Sequence, residues 1–248
     1  MEKILLSLFL ITTTSVQDSG LLDKLVPLFE QTHSCKVKVV AVGSGAAFRL
    51  GKEGNGDLIL VHDEKGEEEF VSQGYGVKRY PFMYNEFVIC GPAGDPASVK
   101  RAKDVFEAFR KISEKKARFV SRGDDSGTHR RERSIWQKID LQPAGEWYLE
   151  TGNGMIETSR IAEEKNAYVL SDSSTFLFHQ KEFENVSLLF RDQKNLRNAY
   201  TLIPLSPKKF PGVNSSLSAQ FVDFLTKSEG REIIRYYQKN GIYLFKPL

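Results

Sequence analysis

Short apolar runs alternate with stretches of helical spacing along this chain, and the alternation predicts its elements. Residues 4–11 form an apolar run that reads as a buried first strand, closed by Thr12-Thr13-Thr14-Ser15. Leu21, Leu22, Leu25, Leu28 and Phe29 then recur on one helical face. Asp18 or Ser19 is the expected cap, because either side chain can accept from a first-turn N–H. Residues 36–42 are a β-branched strand ended by Gly43-Ser44-Gly45, and Ala46, Ala47, Phe48 and Leu50 mark a short helix. Residues 57–62 are a third apolar run, followed by the acidic Glu67-Glu68-Glu69. Strand, helix, strand, helix, strand is the order of a parallel sheet covered by helices.

The middle of the chain repeats the order. Phe87-Val88-Ile89-Cys90 reads as a strand, and Val105, Phe106, Phe109 and Ile112 as a helix face. Arg118-Phe119-Val120 runs into Ser121-Arg122-Gly123-Asp124-Asp125-Ser126-Gly127-Thr128-His129, and Ile135, Trp136 and Ile139 give the next helix its core face. Ala167-Tyr168-Val169-Leu170 is another buried strand, Ala199-Tyr200-Thr201-Leu202-Ile203 a returning one, and Phe221, Phe224, Leu225, Ile233 and Ile234 belong to C-terminal helices. There is no repeat and no flexible linker. The expected organisation is two αβ lobes: residues 1–86 begin lobe one, 87–198 form lobe two, and 199–248 return to lobe one.

Composition narrows the function classes. A hydrophobic share of 40% with 27% charged residues excludes a disordered chain. With 35 basic against 32 acidic residues the charge is too balanced for a nucleic-acid surface. No run reaches the ~20 apolar residues that span a bilayer. Cys35 and Cys90 are too few for a disulfide framework or a four-ligand zinc site, and Cys90 reads as a buried thiol. Met1-Glu2-Lys3 ahead of the first apolar run imitates a signal peptide, but no small-residue cleavage site follows, so a strand without a leader is expected.

Polar, small-residue segments recur where apolar strands end: residues 12–15, 43–45, 121–129 and 151–155. In open αβ sheets ligands gather at the carboxyl ends of strands, where N–H groups of the following helices point outward. Hydroxyls and glycines there offer donors, which suits an anion, although any one segment could be an ordinary cap or turn. Arg122 adds a permanent planar cation with five donors. Ser126, Gly127 and Thr128 are expected in the first turn of the helix that carries Trp136. Asp124 and Asp125 oppose an anion unless they face away, and are expected to cap that helix and pair with Arg122.

Other chemistries fit less well. Ser126 lacks the G-x-S-x-G elbow, yet a hydrolase using Ser126 and His129 stays open as an alternative. His33, His62, His129 and His179 are scattered without metal-ligand spacing, so no metal and no cofactor are expected. Gly152-Asn153-Gly154 lacks the third glycine of a dinucleotide fingerprint. An effector domain of a transcriptional regulator would need a helix-turn-helix, and residues 1–11 cannot hold one.

Several segments occur together in a known family: Thr12-Thr13-Thr14-Ser15, Gln17-Asp18-Ser19-Gly20-Leu21-Leu22-Asp23, Gly43-Ser44-Gly45 and Leu60-Val61-His62. Met83-Tyr84-Asn85-Glu86-Phe87-Val88-Ile89, the 121–129 motif and Glu150-Thr151-Gly152-Asn153-Gly154-Met155 follow in the same order. Over residues 12–247 the sequence resembles the extracytoplasmic tungstate-binding receptors of bacterial and archaeal ABC importers. The resemblance implies an α/β, type II periplasmic-binding-protein fold, two lobes with an oxyanion in the cleft between them. It implies donors from Thr13, Thr14, Ser15 and Ser44 in one lobe and from Arg122, Ser126, Gly127 and Thr128 in the other. It also implies a monomer outside the cytoplasm, membrane-anchored where the full-length form carries an anchor, that hands its ligand to a membrane permease. Two segments depart from the family: Gly54-Asn55-Gly56-Asp57 replaces Gly-Asp-Ala-Asp, and Ser171-Asp172-Ser173-Ser174 stands where Thr-Asp-Arg is usual, so no second arginine is expected there.

Tungstate, molybdate and sulfate carry no proton near neutrality, so a receptor needs only donors, which must replace a full hydration shell. Phosphate keeps a proton and benefits from a carboxylate acceptor, so Asp124 and Asp125 keep it open. Tungstate and molybdate are nearly identical in size and charge, and the resemblance alone favours tungstate.

Overall fold

The computed structural model describes residues 6–239 and 241–248. The start of the first apolar run, Ile4-Leu5, and the Met1-Glu2-Lys3 segment lie outside them. The chain folds as two compact units: unit 1 is the chain up to Tyr84 with Ala199–Leu248, and unit 2 is Asn85–Asn198.

Unit 1 opens with β1 (Leu6–Thr13), α1 (Thr14–Asp18), α2 (Leu22–His33), β2 (Cys35–Val42), α3 (Ser44–Lys52), β3 (Leu58–Val61) and α4 (Glu64–Ser72). β1 lies parallel to both β2 and β3, with Thr13 opposite Val42 and Thr12 opposite Leu60. All four β3 residues are buried, as a strand covered on both faces requires. On α2, Leu21, Leu22, Leu25 and Phe29 are buried and Leu28 is half-buried, so the expected face is the observed one. The cap differs from expectation. The N-cap is Leu21, with no side-chain bond, and Ser19 Oγ instead donates to Val16 O while accepting from Leu21 N. The cause is α1: the hydroxyl-rich segment winds into a short helix and a turn at Gly20 (φ 72°), which moves the start of α2.

β4 (Tyr80–Pro92) carries the chain into unit 2. There follow α5 (Val105–Glu114), β5 (Phe119–Ser121), α6 (Gly127–Lys138), β6 (Tyr148–Glu150), α7 (Met155–Glu164), β7 (Tyr168–Asp172), α8 (Ser173–His179) and β8 (Val186–Arg191). β5 is parallel to β6 and β7, while β7 and β8 run antiparallel to β4. The core is aromatic: Trp136 lies 4.5 Å from Phe109 and 5.6 Å from Phe119, centroid to centroid. Cys90 is buried here and Cys35 in unit 1, both as free thiols, and burial pushes the Cys90 thiol up.

β9 (Arg197–Pro204) returns to unit 1 and pairs antiparallel with β3; α9 (Ser215–Lys227), α10 (Glu229–Tyr236), the short β10 (Gln238–Lys239) and β11 (Ile242–Tyr243), and β12 (Lys246–Pro247) complete the chain. Phe221 of α9 meets Phe29 of α2 edge-on at 4.8 Å. In the departing segment, Gly54 takes a left-handed φ of 76° and the buried Asp57 carboxylate accepts from the N–H groups of Phe9 (2.7 Å) and Asn214 (2.6 Å). Asp57 therefore ties β1 to the start of α9 whatever precedes it. No helix of the described residues is long and apolar enough to cross a membrane.

Candidate functional site

The parallel register of unit 1 brings its hydroxyls to one edge. β1 ends at Thr13, the neighbouring β2 ends just before Gly43-Ser44, and β3 on the other side ends just before His62. Thr13 Oγ1 lies 3.1 Å from Ser15 Oγ, and Ser15 Oγ lies 3.2 Å from His62 Nε2. Thr13, Ser15, Ser44 and His62 are buried and Thr14 is half-buried. The His62 ring packs on the buried Tyr200 of β9, centroids 4.8 Å apart and planes 31° apart. Thr12 Oγ1 is buried without a hydrogen-bond partner among the described residues. No carboxylate takes part in these contacts.

Unit 2 builds its set from one stretch. β5 ends at Ser121, and Arg122 follows with its side chain 5% exposed. Arg122 Nη2 donates to Asp124 Oδ2 at 2.5 Å, and Asp124 Oδ1 accepts from Ser126 N at 3.2 Å. Gly123 turns the loop with a left-handed φ of 63°, where an added Cβ would come within 2.9 Å of Glu150 Cβ. Asp125 is left-handed too, at φ 57°. It pairs with Arg130 at 2.7 Å, and its N–H donates to His129 Nδ1 at 3.0 Å. The sequence expectation is therefore half right: Asp124 fixes Arg122, Asp125 does not, and the cap of α6 is Ser126, whose Oγ accepts from His129 N. The aspartates lose that role because the left-handed turn at Asp125 leaves Ser126 in the extended N-cap conformation.

Gly127 and Thr128 form the first turn of α6, where N–H groups lack intrahelical acceptors. Arg122 Nε and Thr128 Oγ1 are buried without partners among the described residues. Ser121 Oγ and His129 Nε2 of the same motif are likewise buried without hydrogen-bond partners among the described residues. An unsatisfied buried polar group costs about 1–3 kcal/mol, so four in one motif make it a candidate ligand site.

Two titratable groups flank this turn. Burial lowers the His129 pKa, and Nδ1 must stay bare to accept from Asp125 N, so the ring is neutral with its proton on Nε2. One turn behind Thr128, the buried Glu132 carboxyl accepts from Trp136 Nε1 (3.1 Å) and Tyr148 OH (2.7 Å), and burial pushes its pKa to about 7. Sequence reading missed Glu132, since the α6 pattern gives no sign that a glutamate faces inward. It also considered His62 only as a metal ligand. The available signal was position, because His62 follows an apolar strand as the other segments do.

The departing segment 171–174 supplies no arginine. Asp172 caps α8 by accepting from Thr175 N (2.9 Å), and Ser173 Oγ accepts from Glu86 N (3.3 Å). Among the described residues no cluster of three or more His, Cys, Asp or Glu could hold a metal ion.

Known proteins share this architecture. A family model described as a PBP superfamily domain matches residues 6–229. A putative ABC transporter anion-binding protein of Haloferax volcanii is 44% identical over 97% of this chain and 71% of its own length. The tungstate-binding protein TupA of Peptoclostridium acidaminophilum is 40% identical over 97% of this chain and 85% of its own. The crystal structure of the tungstate ABC transporter from Geobacter sulfurreducens superposes with a TM-score of 0.86 at 43% identity, covering 93% of this chain and 98% of that one. The two sequence relatives are binding proteins by name, and the α/β periplasmic-binding-protein fold implied by the sequence resemblance is the fold found. The chain belongs to the PBP superfamily and, within it, to the family of the TupA tungstate-binding proteins.

Proposed function

We propose that this chain is an extracytoplasmic receptor that captures a tetrahedral oxyanion, tungstate, and delivers it to the membrane permease of an ABC importer. The ligand set is Thr13, Thr14, Ser15 and Ser44 from unit 1 with Arg122, Ser126, Gly127 and Thr128 from unit 2. The observation that carries the reading is that Arg122 Nε and Thr128 Oγ1 are buried donors without partners among the described residues, in a chain whose relatives are named tungstate-binding proteins. A fully ionised tetrahedral anion offers acceptors only, and these groups would replace part of its hydration shell.

The two aspartates weigh against phosphate. Both Asp124 oxygens already accept, from Arg122 and from Ser126 N, and both Asp125 oxygens accept from Arg130. Each oxygen keeps a second lone pair, so these bonds reduce, without removing, the capacity of either carboxylate to receive the proton that phosphate carries near neutrality. A hydrolase is disfavoured by the His129 ring, whose Nδ1 is taken by Asp125 N while its link to Ser126 runs through the backbone. No turnover is attributed to the chain, and no cofactor is required by this set.

Calorimetry against tungstate, molybdate, sulfate and phosphate tests the proposal. Tungstate and molybdate should bind far more tightly than phosphate at pH 7. Tight phosphate binding with weak tungstate would transfer the assignment to phosphate, and indifference to all four would overturn the receptor reading.

A further inference from the structure

We infer that His62 is a positioning residue for the oxyanion: it donates its Nε2 proton to Ser15 Oγ and so leaves the Ser15 hydroxyl hydrogen for the ligand. The inference rests on the reading above, in which Ser15 is a ligand donor. Its observations are the 3.2 Å contact from His62 Nε2 to Ser15 Oγ and the 3.1 Å contact from Ser15 Oγ to Thr13 Oγ1. The imidazole is buried and packs on Tyr200, which fixes its ring plane in this structure.

A hydroxyl has one hydrogen to give and can accept twice. With a bare Nε2, His62 would take the Ser15 hydrogen, and Ser15 would turn only lone pairs to an anion. With a proton on Nε2, the Ser15 oxygen accepts from the ring, and its own hydrogen goes elsewhere. Among the described residues the other partner of the Ser15 hydroxyl is Thr13 Oγ1, a neutral acceptor. A bound anion is the stronger acceptor, since hydrogen bonds to ionised groups are about twice as strong as neutral ones. The order of donation in the complex is therefore His62 to Ser15 to oxyanion. An imidazolium also carries a proton on Nε2, so the order does not require a neutral ring.

The alternative is a buried histidine that merely finds a hydroxyl partner. Tungstate calorimetry on His62→Met, His62→Gln, Ser15→Ala and the double variant His62→Met/Ser15→Ala separates the two. Losing one hydrogen bond to an ionised ligand should weaken binding about tenfold to a hundredfold in His62→Met. The glutamine amide N–H can reach the place of Nε2, so His62→Gln should return to within about threefold of wild type, the scatter expected of independent changes. On the Ser15→Ala background the methionine should cost less than about threefold, because His62 acts through Ser15. The ¹⁵N shifts of His62 in the tungstate complex should report a protonated Nε2.

A methionine variant that binds as wild type, a glutamine variant no better than methionine, an undiminished loss on the Ser15→Ala background, or a bare Nε2 in the complex would each overturn the inference. Wild-type protein that binds none of the four oxyanions overturns the receptor reading and the inference with it. Wild-type protein that binds tungstate alongside an equally tight His62→Met overturns the inference alone.

Discussion

Unit 1 and unit 2 each place their proposed donors at the carboxyl end of parallel strands, but they assemble them by different means. In unit 1 the donors are neutral hydroxyls drawn from residues 13–44, with His62 behind them, and strand register is what makes them neighbours. In unit 2 one contiguous loop supplies a guanidinium, a cap and a helix start, and the cation brings its own counter-ion, Asp124. A neutral set needs no compensating charge and can be buried cheaply once its hydroxyls pair with each other. A charged set holds an anion more strongly but must keep Arg122 oriented without surrendering all its donors to Asp124. Leaving Nε unpartnered meets that demand.

The contrast predicts that unit 2 dominates affinity. Removing one member of a buried charged hydrogen-bond set costs about 2–5 kcal/mol, so Arg122→Ala should weaken tungstate binding by roughly thirtyfold to several thousandfold. Ser15→Ala should cost less, because it deletes one hydroxyl from a set that has others. Calorimetry that ranks Ser15→Ala above Arg122→Ala would invert the comparison.

A second difference lies behind the donors. Each unit buries one glutamate whose pKa is pushed to about 7, chiefly by burial: Glu67 in unit 1 and Glu132 in unit 2. Glu67 has an ionic partner, Arg79 at 2.9 Å, whereas Glu132 is held by neutral donors, Trp136 and Tyr148 among them. A carboxyl whose folded pKa lies above its unfolded value holds its proton longer when folded. Stability therefore falls as pH rises from the unfolded value near 4.5 through about 7, and the loss is complete above it. At 1.36 kcal/mol per pKa unit the loss for Glu132 is about 3 kcal/mol. Glu132→Gln should then raise the melting midpoint at pH 8 by roughly 6–12 °C and leave it nearly unchanged at pH 4. Glu67→Gln should gain less at pH 8, since it also forfeits Arg79. Equal gains, or a Glu132→Gln gain that persists at pH 4, would remove the proposed cause.

How much of this was legible in the sequence follows the same division. The Asp124–Arg122 pairing and the start of α6 were legible in the 121–129 motif because they lie within a few residues, whereas the cap expected of the aspartates falls to Ser126 and Asp125 pairs with Arg130. The parallel strands and the main helix faces were legible from periodicity, as Leu25 and Phe29 on α2 show. The Ser15–His62 contact was not, because it joins residues 47 apart in sequence and depends on β1 lying beside β3. The inward turn of Glu132 was hidden for a similar reason. Its partner Tyr148 comes from β6, a short strand with no strong pattern of its own.

The smallest effects test where each set ends. Thr128 Oγ1 in unit 2 and Thr12 Oγ1 in unit 1 are both buried and without partners among the described residues, yet only Thr128 belongs to the proposed ligand set. Replacing either threonine by valine keeps the shape and removes a hydroxyl that satisfies nothing in the free protein. Neither change should lower the melting midpoint, and each should raise it slightly by relieving an unsatisfied buried group. Binding should part them. Thr128→Val loses a hydrogen bond to a charged ligand, about 1.5–3 kcal/mol or roughly tenfold to a hundredfold in affinity, while Thr12→Val should bind tungstate as wild type does. If Thr12→Val weakens binding as much, the unit 1 set reaches one residue further back along β1 and is larger than proposed. If Thr128→Val binds unchanged, the orphaned hydroxyl of α6 is only a packing cost, and Arg122 is left to carry the anion with the backbone of the helix start.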